Sequence, residues 1–160
     1  MVNMYMNELI HELELVTNTT RNLIEKVDYK DWDFRPQDNM RTLIELAHHL
    51  VLIPKSDYYC LMKEVPQDEY EKLETDLLDV TDSKTLSEQL NQNYKLLTDY
   101  ILSLSEQELL NIKTAPFYLE DKSTQLKWFI EIITHMFHHR AQFFNYLKEL
   151  KYEVNMFDLY

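Results

Sequence analysis

The chain contains no glycine in its 160 residues. Glycine reaches positive φ without steric cost and lets a phosphate or a second backbone approach closely. Two-residue hairpin turns, phosphate-cradling loops and dinucleotide-binding fingerprints all depend on it. Its absence excludes Rossmann and P-loop nucleotide sites and disfavours a β-rich fold. What remains is an all-α chain, with helices joined by irregular loops.

Hydrophobic periodicity predicts four main helices. The first spans about 5–26, where Met6, Leu9, Ile10, Leu13, Val16, Leu23 and Ile24 recur at helical spacing. His11 falls on its polar side and reads as a solvated imidazole. Residues 28–41 are a non-helical connection whose Trp32 and Phe34 should plug one end of the core. Thr42 and Glu45 form a capping box that opens the second helix. Its buried stripe is Leu43, Leu46, Leu50 and Ile53. At about 100° per residue, His49 and Cys60 join that stripe, while His48 turns away toward solvent. Pro54 should kink or divide this helix, and Val65–Pro66 should end it.

Residues 67–82 are acidic and weakly periodic, so the connection between the second and third helices is long. A second capping box, Thr85 with Glu88, starts the third helix, whose apolar face is Leu86, Leu90, Tyr94, Leu97, Ile101 and Leu104. Ser105 with Glu108 opens one or two further turns, and 117–122 shows no clear pattern. The last helix spans about 124–150, with Ser123 or Thr124 as its cap. Its apolar arc runs through Phe129, Ile130, Ile132, Ile133, Met136, Phe137, Phe143, Phe144 and Leu147. An arc that wide needs cover on two sides, from within the bundle or from a second subunit.

This length suits one domain, 1–160, with a sizeable core. No stretch reads as a leader or a membrane span, and the lone Cys60 excludes an intrachain disulfide, which together point to the cytoplasm. Net charge is −12 with no basic cluster, which argues against nucleic acids and anionic membranes as partners. A small-molecule substrate is the partner left to consider.

The chemistry-bearing residues concentrate in the last helix, which holds three of the six histidines within five positions, His135, His138 and His139. Residues four apart stack on one helix face, so His135 and His139 form a pair of imidazoles while His138 points to one side. Alone, such a pair is also what surface or satisfied core histidines look like. With the inward-facing His49 from the second helix it becomes a three-histidine set. Three neutral imidazoles suit Zn²⁺, and also Ni²⁺, Fe²⁺ or Cu²⁺, and leave a coordination position open for water or substrate. Glu131, one turn before His135, could orient an imidazole or close the site as a fourth ligand. Gln142 and Tyr146, on later turns, could contact a ligand. Cys60 reads as a small core residue rather than a nucleophile.

The run His135-Met136-Phe137-His138-His139-Arg140-Ala141-Gln142 resembles the H-x-x-H-H-R-G-Q signature of the DinB/YfiT-like proteins. Met40-Arg41-Thr42-Leu43-Ile44-Glu45-Leu46-Ala47-His48-His49-Leu50 resembles their upstream element, M-R-T/S-x-x-E-L-x-x-H followed by a hydrophobic residue. Order and spacing agree over about residues 30–152, with Ala141 standing where the family usually has glycine. The resemblance implies a four-helix bundle in up-down-down-up order, usually a homodimer. It also implies a divalent metal, Zn or Ni foremost, at His49, His135 and His139. Some relatives are thiol-dependent S-transferases using bacillithiol or mycothiol, which suggests a low-molecular-weight thiol as co-substrate. The expected function is a metal-dependent thiol S-transferase acting on electrophilic small molecules. A metal-dependent hydrolase and a non-catalytic metal-binding stress-response protein are the alternatives. Every one of these readings requires the ring of His49 within about 8 Å of the other two, since metal–nitrogen bonds are about 2 Å long.

Overall fold

The computed structural model describes residues 4–160. Six helices and one short strand pair follow in the order α1 (Met4–Glu25), α2 (Leu43–Asp57), α3 (Gln67–Glu74), α4 (Ser83–Ser103), α5 (Glu106–Asn111), β1 (Lys113–Thr114), β2 (Ser123–Thr124) and α6 (Gln125–Glu149). Helices α1, α2, α4 and α6 form the bundle, with α1 and α2 each packed against both α4 and α6. The apolar faces expected from periodicity fill its centre: Leu13, Val16, Leu23, Leu46, Leu50, Ile53, Leu86, Leu90, Phe129 and Phe143 are all buried.

Side-chain bonds set the helix directions. Arg21 Nε donates to Ser87 Oγ at 3.0 Å and Ser83 Oγ donates to the Val27 carbonyl at 3.3 Å, so the end of α1 meets the start of α4 and the two are antiparallel. Asn93 Nδ2 donates to the Val51 carbonyl at 2.8 Å, and the rings of Tyr58 and Tyr100 lie 4.9 Å apart further along. Helices α2 and α4 are therefore parallel. Arg140 donates to Thr19 Oγ1 at 2.8 Å, and beyond the helix ends the Asp28 N–H donates to Tyr152 Oη at 2.9 Å, which makes α1 and α6 parallel. Helix α6 runs antiparallel to α2. The result is an up-down-down-up bundle in which α3 and its flanking segments carry the long crossover from α2 to α4.

Local chemistry explains most element ends. Thr42 and Glu45 form the expected capping box, at 3.2 and 2.7 Å, and Ser105 with Glu108 forms another. Thr124 caps α6 by accepting from the Lys127 N–H. The short β1–β2 pair brackets the 117–122 loop and is tied down by Thr114. Its hydroxyl donates to the Leu61 carbonyl at 2.7 Å, and its carbonyl accepts from Trp128 Nε1 at 3.0 Å. Without glycine, the two left-handed turns fall to Glu64 (φ 54°) and Lys151 (φ 67°), where a side chain makes that conformation costly.

Four expectations are corrected. Helix α4 starts at Asp82, whose carboxylate accepts from the Thr85 N–H at 2.7 Å, and Thr85 with Glu88 is not the cap. An ionised cap three residues earlier also complements the positive end of the helix dipole. Pro54 does not divide α2, which continues to Asp57 and then widens into a π turn over Tyr58–Met62. Pro54 itself is buried, so packing holds the helix through the lost N–H. The helical run ends at Met62, ahead of Val65–Pro66. His48 is not turned to solvent. It is 6% exposed and its Nε2 lies 2.7 Å from the Val80 carbonyl, because the crossover after α3 covers the face that periodicity left open.

No helix among the described residues is long and apolar enough to cross a membrane. Because the cap of α4 is one carboxylate, Asp82→Ala should lower the urea midpoint, while Glu88→Ala on the exposed face should leave it unchanged. Urea unfolding of the two variants checks this.

Candidate metal centre

The antiparallel packing of α2 on α6 brings the three predicted imidazoles together. His49 comes from the middle of α2, and His135 and His139 from successive turns of α6. Their ring centroids lie 5.1 Å (His49–His135), 4.4 Å (His49–His139) and 4.8 Å (His135–His139) apart, well inside the 8 Å requirement. One ring nitrogen from each can be chosen so that all three lie within 4.8 Å of one another. Nε2 of His49 and Nε2 of His135 are 3.2 Å apart. Two ligands of a tetrahedral Zn²⁺ with bonds of about 2.0–2.1 Å would stand about 3.3 Å apart, so this spacing fits a shared cation.

Neighbouring groups fix which nitrogen faces the centre. His135 Nδ1 lies 2.7 Å from Asp57 Oδ2, and His139 Nδ1 lies 2.7 Å from Gln142 Oε1. Each oxygen accepts the Nδ1 proton, so in the neutral imidazole the lone pair is left on Nε2, the arrangement that metal-binding histidines adopt. Burial pushes His49 down to about 3, with His139, Arg41, His135 and His138 adding to the effect. Burial likewise lowers His139 to about 4, against the opposing hydrogen bond to Gln142. Both rings are therefore neutral, and able to ligate, throughout the physiological range.

The other candidates take different places. Glu131 stands outside the cluster, and its carboxylate pairs with Lys127 one turn back. Gln142 bonds to His139 and, through Nε2, approaches His138 Nε2 at 3.4 Å. Tyr146 is buried and donates to the Arg41 carbonyl at 3.1 Å. His11 is exposed beside Glu8. Cys60 is buried, and its thiol is pushed up to about 12 by burial and by the charges of Asp57 and Glu74, so it stays protonated and inert.

Two cavities lie along the α2–α6 seam on either side of the cluster, the larger with His135 in its wall and the smaller separated from His139 by Gln142. The larger, about 400 Å³, is walled by Asp57, Tyr70, Tyr118, Glu131, His135 and His138 among others. The second, about 340 Å³, is lined by Asn39, Met40, Arg41, Leu46, Gln142 and Tyr146. Sequence reasoning missed Asp57 and Arg41. Asp57 carried a signal, since it extends the inward line of α2 about two turns beyond His49. Tyr118 carried none, because it reaches the cavity from a loop without periodicity.

The sequence pattern of the DinB superfamily matches residues 12–143 of this chain, and no curated protein is matched. Among solved structures, a DinB-family protein of Exiguobacterium sibiricum superposes with a TM-score of 0.80 at 23% identity, covering 96% of both chains. A DinB-like protein of Bacillus subtilis, YjoA, superposes at 0.70 with 16% identity, covering 92% of this chain and 94% of its own. YfiT of Bacillus subtilis is described as a probable metal-dependent hydrolase with an unusual four-helix bundle topology. It superposes at 0.73 with 17% identity, covering 92% of this chain and 88% of its own. The chain belongs to the DinB superfamily.

Two outcomes follow from this geometry. Asp57→Ala, which frees the His135 ring, should weaken Zn²⁺ binding by about 10–100-fold in a competition titration with a chromophoric chelator. In the metal-free protein, the unfolded chain takes up protons on His49 and His139 near their ordinary pKa of about 6.5 while the folded chain refuses them. The stability these rings contribute is complete above about pH 6.5 and is lost as pH falls toward 4 and 3. The urea midpoint should drop across that window, and less steeply in His49→Phe.

Proposed function

We propose that this member of the DinB superfamily is a metal-dependent enzyme that joins a low-molecular-weight thiol to an electrophilic small molecule. The observation that carries the reading is a pair of cavities flanking one imidazole cluster, the larger walled by His135 and the smaller by Gln142, the partner of His139. A transferase needs space for two organic reactants beside its metal, whereas a hydrolase needs one organic substrate and water. His49, His135 and His139 would hold the divalent cation, with Zn²⁺ and Ni²⁺ best matched to an all-imidazole donor set. When bound, the cation supplies Lewis acidity that favours the thiolate over the thiol.

The chain's own residues do the rest. Asp57 and Gln142 hold two of the imidazoles in the ligating tautomer. In the transfer, a carbon–sulfur bond forms, the bond to the leaving group breaks with its electron pair, and the thiol proton is released. His138, on the wall of the larger cavity and beside both His139 and Gln142, would accept that proton. Tyr70 and Tyr118 in the wall, with Phe117 packed between them from outside at ring-centroid distances of 5.7 and 5.1 Å, would shield an electrophile from water. A homodimer belongs to the same reading, with Ile130, Phe137 and Phe144 of α6 still partly exposed.

Hydrolysis is the second reading, supported by the description of YfiT and by the same open coordination position. The two separate in one assay. Metal-reconstituted protein is given a chromogenic aryl halide with bacillithiol or cysteine, and separately a panel of aryl esters and amides. Thiol-dependent release of halide, lost in His49→Ala together with metal stoichiometry, is the expected result. Ester or amide cleavage that ignores thiols would replace the first reading with the second.

A further inference from the structure

The two cavities differ in charge. Carboxylates line the larger one, at Asp57 and Glu131, whereas a guanidinium, an amide pair and a phenol line the smaller, at Arg41, Asn39, Gln142 and Tyr146. In a chain with 28 acidic and 16 basic residues, a cation would ordinarily find a carboxylate. Arg35 does so, reaching Glu45 at 3.4 Å. Arg41, six positions later and exposed, makes no carboxylate ion pair within 4 Å among the described residues; its charge acts on Glu45 and Glu74 from further away, and its backbone carbonyl accepts from the Tyr146 hydroxyl.

The position of this cavity links it to the cluster. Leu46 lies one turn before His49 on α2, and Gln142 lies one turn after His139 on α6. Gln142 is itself one hydrogen bond from the His139 ring. A molecule filling the cavity would thus have one end at Arg41 and the other facing the imidazoles.

Resting on the thiol-transfer reading above, we infer that the 340 Å³ cavity is an anion subsite in which Arg41 receives a carboxylate of the thiol co-substrate. Asn39 and the Gln142 amide supply further donors, and the sulfur a few bonds away is delivered to the imidazole cluster. The acidic lining of the opposite cavity repels the same carboxylate, so the two walls give the co-substrate one orientation.

Two experiments test this, one without metal. In the metal-free protein, the Arg41 Nε–H resonance should shift saturably on addition of glutarate and not of glutaramide, and 0.5 M NaCl should weaken the effect. No saturable shift, or an equal one with the diamide, overturns the subsite. In Co²⁺-loaded protein, the thiolate-to-cobalt absorption should saturate at about tenfold lower concentration with 4-mercaptobutyrate than with 4-mercaptobutan-1-ol. Arg41→Met should erase that preference without changing cobalt content. Equal saturation by both thiols in the wild-type protein removes the subsite and leaves the thiol reading standing. If neither thiol produces the band, the thiol reading fails, and the glutarate titration alone decides whether Arg41 binds anions.

Discussion

Three imidazoles from two distant segments share one crevice between α2 and α6, and the rest of the architecture is arranged around that contact. Removing polar rings from water is unfavourable unless their hydrogen-bonding groups are met. Here the outer nitrogens of His135 and His139 meet Asp57 and Gln142, while the inner ones face each other. One N–H can bridge His49 and His135, whose Nε2 atoms are 3.2 Å apart, but three inward nitrogens cannot all be satisfied by one another. A shared cation would satisfy all three lone pairs at once.

The antiparallel direction of α2 and α6 has a second consequence. Moving along the seam, Arg41 faces the end of α6 that carries Gln142 and Tyr146, and Asp57 faces the end that carries Glu131 and His135. Opposite charges are thereby separated on either side of the cluster. The acidic end gains a lid from the 117–122 loop, which is anchored through Thr114 to the π turn after α2 and to Trp128 of α6. A loop that would otherwise be free is positioned by two buried hydrogen bonds on helices that already carry the site.

Similar bundles are found in DinB-like proteins at identities as low as 14%. Fold alone does not assign a reaction. In this chain the proposed reaction rests on the crevice, its imidazoles and the cavity walls that carry Arg41, Tyr70, Tyr118 and Glu131. Ala141 lies exposed on α6 and leaves the helix intact.

Much of this was legible in the chain itself. The absence of glycine restricted the fold to helices. Apolar spacing of 3–4 residues located the four bundle helices, and two of the capping boxes follow from side chains three positions apart. The ligand candidates were also readable, because i,i+4 spacing on α6 and the inward stripe of α2 are local properties. Direction and cover were not. Whether His48 is solvated depends on where the α3 crossover passes, and its burial against Val80 lies 32 positions away in sequence. Asp57 becomes the partner of His135 only once α2 and α6 are antiparallel, and Tyr118 reaches the cavity only because Thr114 holds its loop. Periodicity reports which face of an element is apolar. It carries no information about which other element arrives there, so the chain determined the helices and the imidazoles, and tertiary packing decided their neighbours, the tautomers and the opposite charges of the two cavities.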